Sequence, residues 1–191
     1  MKPSKEVVRR RDYTVQEIPF SEAAALIRAH HYARGCANTA TAAHGLVRKA
    51  DGVLVGAALW MPPTRVCAES VDREEWRRVL ALSRLAIAPG EPQNAASLLI
   101  GGSVRLLRRS GRWAALVTFA DESQGHTGGI YRATNWTHVG RTAPEPRWVD
   151  ADGRQVARKA THSRTAAEMR ALGYRVDGRY RKEKFVLHLA A

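Results

Sequence analysis

Cysteine is scarce: the 191-residue chain has two, Cys36 and Cys67. Two thiols build no disulfide framework, and their spacing matches no zinc-ligand pattern, so reduced thiols in an intracellular protein are expected. Long apolar runs are lacking as well. No stretch approaches the roughly 18 apolar residues that a membrane helix needs. The segment MKPSKEVVRRRDY is charged and no apolar run follows it, so it does not read as a secretory signal. Repeats, low-complexity linkers and composition breaks are absent too, and 1–191 reads as one domain with a basic arm at 1–11. Acidic residues are in deficit: 18 Asp and Glu stand against 31 Lys and Arg, a net charge of +13. That excess points to a polyanionic partner, most simply nucleic acid. Arginine outweighs lysine, and its planar fork suits phosphate. No basic amphipathic helix with bulky aromatics is present, so a membrane partner is not expected.

What remains is the composition of a globular chain, 45% hydrophobic and 26% charged. DYTVQEIPF (12–20) alternates like a strand. Ser21 reads as the N-cap of a helix, SEAAALIRAHHY, with Ala24, Leu26 and Ile27 inward. Residues 33–44 read as a flexible loop. GLVRKADGVLVGAALWM reads as a hairpin turning at Asp51-Gly52 and closed by Pro62-Pro63. VLALSRLAIAP and WAALVTFAD read as buried strands, with a helix between them at 94–110 that is interrupted in composition by Gly101-Gly102. GHTGGIYRATNW suggests a short helix, WTHVGRT a strand, and RWVDADGRQVARK a second hairpin around Asp152-Gly153. RTAAEMRALG reads as a helix closed by Gly173, and GRYRKEKFVLHL as a final strand. This order predicts an α/β (α+β) protein: a mixed central sheet with helices on both faces. It resembles the Gcn5-related acyltransferase (GNAT) fold, whose central element is a strand, an anion-binding turn and a helix.

Four segments carry chemistry. SRLAIAPGEPQNAASLL (83–99) is strand, turn and helix. The helix opens with small residues at 95–97, where free backbone N–H groups and the dipole suit a pyrophosphate. ADESQGHTGGIYRATNW (120–136) crowds hydrogen-bonding side chains behind a buried strand. Asp121 is expected at that strand's end, held by His126, Tyr131 or a metal. In AHHYARG (29–35), His30 and His31 cannot both face inward, which leaves one as a base or metal ligand beside Tyr32. In RYRKEKFVLHL, Arg179, Arg181, Lys182 and Lys184 interleave with aromatics. Such a strand either tracks a phosphate backbone or is a solvated edge. Arg105, Arg108, Arg109 and Arg112 read as favourable charge at a helix C-terminus.

Together, HHY (30–32), SRLAI (83–87), QNAAS (93–97), the 120–136 block and RKEKFV (181–186) resemble the phage Mom DNA-modification family, a divergent branch of the GNAT-like fold. The resemblance runs from about His30 to the C-terminus. It implies modification of adenine in double-stranded DNA at the exocyclic amine with a carbamoylmethyl group, which shields phage DNA from restriction in the cytoplasm of a bacterial host. It places His31, Tyr32, Asp121 and Tyr131 in the chemistry, and Arg84, Gln93, Asn94 and Ser97 at an acetyl-CoA or related acyl-CoA. It also implies an iron requirement, with His31 and Asp121 as ligands. The phosphate turn departs from the GNAT pattern in having few glycines. Two further functions fit the same residues: an ordinary GNAT N-acetyltransferase for a small amine, modified base or protein, and a basic nucleic-acid-binding protein without catalysis.

Overall fold

A computed structural model describes residues 7–156, 161 and 163–189. Nine strands are ordered in two sheets: β1 (Tyr13–Glu17), β2 (Ala42–Arg48), β3 (Leu54–Met61), β4 (Val79–Ile87), β5 (Ala115–Asp121), β6 (Thr137–Arg141), β7 (Glu145–Val149), β8 (Arg175–Tyr180) and β9 (Lys182–His188). The larger sheet runs β1-β2-β3-β4-β5-β9-β6, and β7 pairs with β8 alone. The first four strands are antiparallel to their neighbours, and β4 and β5 are parallel. The helices are α1 (Phe20–His30), α2 (Arg65–Glu69), α3 (Ala95–Arg109), α4 (Gly129–Arg132) and α5 (Ala166–Ala171). Among the described residues no helix is long and apolar enough to cross a membrane. The chain divides into two compact units. The first takes in everything up to Thr118, Gly129–His138 and the end from Phe185; the second is Phe119–Gly128 with Val139–Lys184.

In the first unit, the continuous apolar run of β3 is explained by burial on both faces. Ala57 and Leu59 meet Ala23, Leu26 and Ile27 of α1. The alternate face carries Gly56, where an added Cβ would come within 3.2 Å of Leu99 on α3. Strand side chains alternate faces, so α1 and α3 lie on opposite sides of the sheet. The Asp51-Gly52 turn forms as its sequence predicts: Gly52 sits at φ 71° and the Asp51 carboxylate accepts from Val53 N at 3.1 Å. Helix α3 runs through Gly101-Gly102 without a break. A Cβ on Gly102 would lie 2.5 Å from Val15, so the glycine lets α3 settle directly on β1.

Two expectations need correction. Helix α1 starts one residue early, with Pro19 at the N-cap and its carbonyl accepting from Ala23 N at 3.2 Å, so Ser21 lies inside the first turn. The final strand is two strands broken at Arg181, β8 in the small sheet and β9 in the large one. The Asp152-Gly153 hairpin forms but is short: Gly153 sits at φ 78°, Asp150 N donates to Arg154 O and Val156 N to Trp148 O, each at 2.9 Å, and Val149 bridges Gln155, while residues 157–159 of that segment lie outside the described residues. Likewise, residues 1–6 of the basic arm lie outside them. The 166–171 helix is capped by a reciprocal Thr165–Glu168 box that the sequence reading did not use.

His44 is a polar group inside this core, 1% exposed on β2. Burial pushes its imidazole down from 6.5 to about 4, so it is folded in the neutral form. The unfolded chain binds a proton below about 6.5 that the folded chain refuses, so stability falls as pH drops from neutrality towards 4. At about pH 5 the loss from this group should be roughly 2 kcal/mol. Urea unfolding of the parent should therefore weaken more steeply with acid than that of His44→Met. Equal losses in both proteins would show that the imidazole is not the group responsible.

Candidate active site

In the first unit, β4 carries a bulge. Leu59 pairs with Arg84 and Trp60 with Leu82, leaving Ser83 unmatched. A bulge turns side chains out of register, and Arg84 uses it: its guanidinium donates to the Ser83 carbonyl at 2.6 Å and to Gly35 O at 2.9 Å. Arg84 thus fastens the loop that follows α1. On that loop His31 and Tyr32 stack, with centroids 4.3 Å apart. The His31 Nδ1 accepts from Ala33 N at 3.0 Å, which places the proton of the neutral ring on Nε2. Tyr32 is 45% exposed.

The ladder of β4 with β5 covers only Val79–Ala81 against Ala115–Val117, and Thr118 adds a hydroxyl bond to Leu82 O at 3.3 Å. From Arg84 to Ile87 the strand keeps its β3 partner. Beyond Ile87 the turn leads into α3. Gln93 is exposed there and borders a depression of about 210 Å³ with Ala88, Gly90 and Ala96. Asn94 is the N-cap residue, but its side chain accepts from Val8 N at 2.7 Å instead of capping the helix. Ser97 donates to the Asn94 carbonyl at 2.9 Å. The first turn, Ala95-Ala96-Ser97, is small throughout.

Tyr131, on α4 in the same unit, packs against Trp136 and Phe185 at 5.8 and 5.3 Å, and Trp136 stacks on Trp60 at 6.4 Å. Burial raises the Tyr131 phenol above its ordinary range, opposed by a hydrogen bond with Thr118. At neutral pH the group is therefore a hydroxyl, a donor rather than a base.

In the second unit, Asp121 ends β5 and is 9% exposed. Its carboxylate accepts from Ser123 N at 3.0 Å and caps the short turn Glu122–Gln124, which Gly125 closes at φ 71°. Ser123 is thus a partner the sequence did not suggest; His126 meets Asp121 through the backbone, N–H to carbonyl at 3.3 Å. Asp121 lines a cavity of about 380 Å³ with Ser123, Arg147, Trp148, Gln155 and Tyr180. Arg147 organises one wall. It is paired with both oxygens of Asp177, donates to Ser123 O at 2.8 Å and lies 5.1 Å over the Tyr180 ring. The ion pair holds the Asp177 carboxyl below its ordinary range and raises Arg147. Opposite Arg147 is Gly178, where a Cβ would strike the Tyr180 ring at 2.7 Å; glycine leaves room for the ring to lie flat.

The Arg147–Asp177 pair of this wall was not legible in sequence. Arg147 and Asp177 are thirty positions apart, and no local pattern links them. The basic run is also reshaped. Arg179 donates to Pro144 O, and Arg181 to Thr142 O, each at 3.2 Å. Lys182 lines the Asp121 cavity, and Lys184 lies further along β9. The described residues gather no group of three or more His, Cys, Asp or Glu side chains. The donor set for an iron held by His31 and Asp121 is therefore not assembled here, and no step is derived through a metal.

A sequence profile of the Mom protein family matches residues 12–188. The chain belongs to the Mom protein family. Solved structures place this family member in the GNAT fold. It is similar to the ribosomal-protein-S18-alanine N-acetyltransferase from Escherichia coli, with a TM-score of 0.57 and 12% identity over 94% of this chain and 95% of that one. An N-acetyltransferase from Staphylococcus aureus Mu50 gives 0.58 and 13%, over 93% and 99%. The acetyltransferase structure yncA from Salmonella typhimurium with its cofactor acetyl-CoA gives 0.55 and 13%, over 94% and 95%. No curated protein matches the chain significantly. In this Mom-family chain, the strand–turn–helix of the GNAT fold falls on β4, the 88–94 turn and α3.

Proposed function

We propose that this protein is a transferase that joins a carbamoylmethyl group to the exocyclic amine of adenine in double-stranded DNA, shielding phage DNA from restriction. The observation that carries the reading is the nearly buried Asp121 carboxylate, opening into a cavity walled by Trp148 and Tyr180. The volume suits a small ring system, and enzymes that act on a base take it out of the stack into such a pocket. Membership of the Mom family and a charge of +13 support DNA as the substrate.

The chemistry sets what the residues must do. The adenine amine is a weak nucleophile because its lone pair is delocalised into the ring. As the new N–C bond forms, the amine must lose a proton, and Asp121 is the base to receive it. In the first unit, Tyr131, kept as a hydroxyl, and His31, with its proton on Nε2, are hydrogen-bond donors. The added group is linked through a CH2, so plain acyl transfer does not make it: as the N–C bond forms, the bond from that methylene carbon to a leaving group on its donor must break, and the leaving group departs with the electron pair.

An acyl-CoA fits the first unit. The small first turn of α3 with Gln93, Asn94 and Ser97 offers N–H groups to a pyrophosphate. When bound, it would supply an activated thioester. Ser97→Glu is expected to suppress use of the donor while leaving DNA binding intact, because a carboxylate in that turn repels phosphates. Unchanged modification by the folded variant would remove the phosphate from this turn.

Mass spectrometry of nucleosides from the DNA of expressing cells tests the whole reading. A new adenine nucleoside bearing a carbamoylmethyl group is the expected result. The second reading, N-acetyltransfer, has the solved neighbours on its side; unaltered DNA together with acetylation of an amine substrate would establish it instead.

A further inference from the structure

The first unit holds a group of positive charges that the proposed chemistry does not use. Helix α3 packs on β1 at Gly102, and the segment that precedes β1 reaches the α3 N-cap, where Val8 N meets Asn94 Oδ1. Arg105 turns back along α3, its guanidinium 3.7 Å from where a Cβ on Gly101 would lie, and is partly buried with Arg10 and Arg109 as its charged neighbours. That burial and those two positive charges hold its guanidinium below the ordinary arginine range. Arg9, Arg11, Arg48 and Lys49 line a depression of about 520 Å³ with Asp12, Tyr13 and Pro92.

The acids near these groups are already engaged. Asp51 and Glu91 both bind Arg48, at 3.1 and 3.0 Å, and Asp12 lies 3.7 Å from Arg11. Arg9, Arg10, Lys49, Arg105 and Arg109 have no carboxylate partner among the described residues. Charge at the end of α3 favours the helix dipole, which accounts for Arg109 alone and not for Arg10 brought against Arg105. The segment is also fixed in place. Val8 N donates to Asn94 Oδ1 at 2.7 Å, Lys49 N to Asp12 O at 2.9 Å, and the Tyr13 hydroxyl to Glu91 at 2.7 Å. Like charges held together by a rigid frame lower stability until an anion neutralises them.

We propose that the face made by Arg9–Arg11, the 48–49 turn and the α3 arginines Arg105 and Arg109 grips the phosphate backbone of duplex DNA, separately from the cavity that takes the base. This rests on the DNA reading above. A row of phosphates suits it because the cations are spread over three elements rather than focused on one point, and because arginine forks pair with phosphate oxygens. Its exposed apolar side chain, Val7, is too little to enter a bilayer.

The test is duplex binding across a salt series for the parent, Arg10→Gln with Arg109→Gln, and Arg9→Gln with Lys49→Gln, alongside thermal melting of each. Each pair should weaken binding about tenfold. The slope of log affinity against log salt should become shallower by about 2, near 0.9 for each phosphate no longer neutralised. The DNA-free Arg10/Arg109 variant should melt no lower than the parent, since a repulsion is relieved. Salt-dependent binding by the parent, with slope and affinity unchanged in both folded variants, would overturn the assignment of this face and leave the adenine reading standing. No duplex binding by the parent, or preference for vesicles of anionic phospholipid, would overturn both.

Discussion

Asp121→Asn is expected to lower adenine modification by about 10²-fold or more, the scale of a lost acid–base group, with the protein folded and binding DNA as before. The reason lies in what the amide keeps. An asparagine oxygen still accepts from Ser123 N, so the cap of the 122–124 turn survives. Side-chain volume is unchanged, so the cavity walls stay in place. Only the charge and the basicity are lost. Nucleoside mass spectrometry on cells expressing the variant reads the effect directly, and a gel shift with circular dichroism confirms binding and fold. Near-parental modification would reduce the carboxylate to a turn cap, and the site would then have to be sought at the His31–Tyr32 loop.

Trp60→Ala carries the largest expected effect on stability. Trp60 is fully buried on β3, beside His44 at 6.3 Å and stacked on Trp136, which in turn holds Tyr131. Removing the indole should destabilise the fold by about 3–5 kcal/mol, a large part of the stability of any domain of this size. The indole N–H has no hydrogen-bond partner among the described residues. Trp60→Phe therefore forfeits packing but no hydrogen bond, and should cost less than about half as much. Urea midpoints of the three proteins decide it. Equal destabilisation by Phe and Ala would mean that the N–H, not the ring volume, matters here.

Periodicity and turn chemistry made most elements legible before any coordinates. The apolar run of β3 and the Asp51-Gly52 turn needed nothing beyond local preference, and α1 shows its inward face in Ala24, Leu26 and Ile27. Boundaries failed where a tertiary partner decided them. The break at Arg181 arises because β8 and β9 pair in different sheets, which no window of sequence contains. Segments of the candidate site were visible as strand ends and helix starts, Asp121 and Ser97 among them. Their surroundings were not. The wall around Asp121 depends on Arg147 meeting Asp177, and the anchoring of the His31 loop depends on a bulge at Ser83. Both are non-local facts of register. The arginines of α3 read in sequence as partners of the helix dipole, because nothing local shows that Arg10 is a charged neighbour of Arg105.

The chain passes between its two units at four points, at Thr118, Gly128, His138 and Lys184. Strands β5, β6 and β9 each begin in one unit and finish in the other. No single peptide-bond cleavage releases either as a fragment, and neither can be gained or shed by fusing genes end to end. The cavity-bearing unit is instead two loops' worth of chain threaded out of the sheet. It is inherited only together with β5, β6 and β9, the strands that it shares with the first unit.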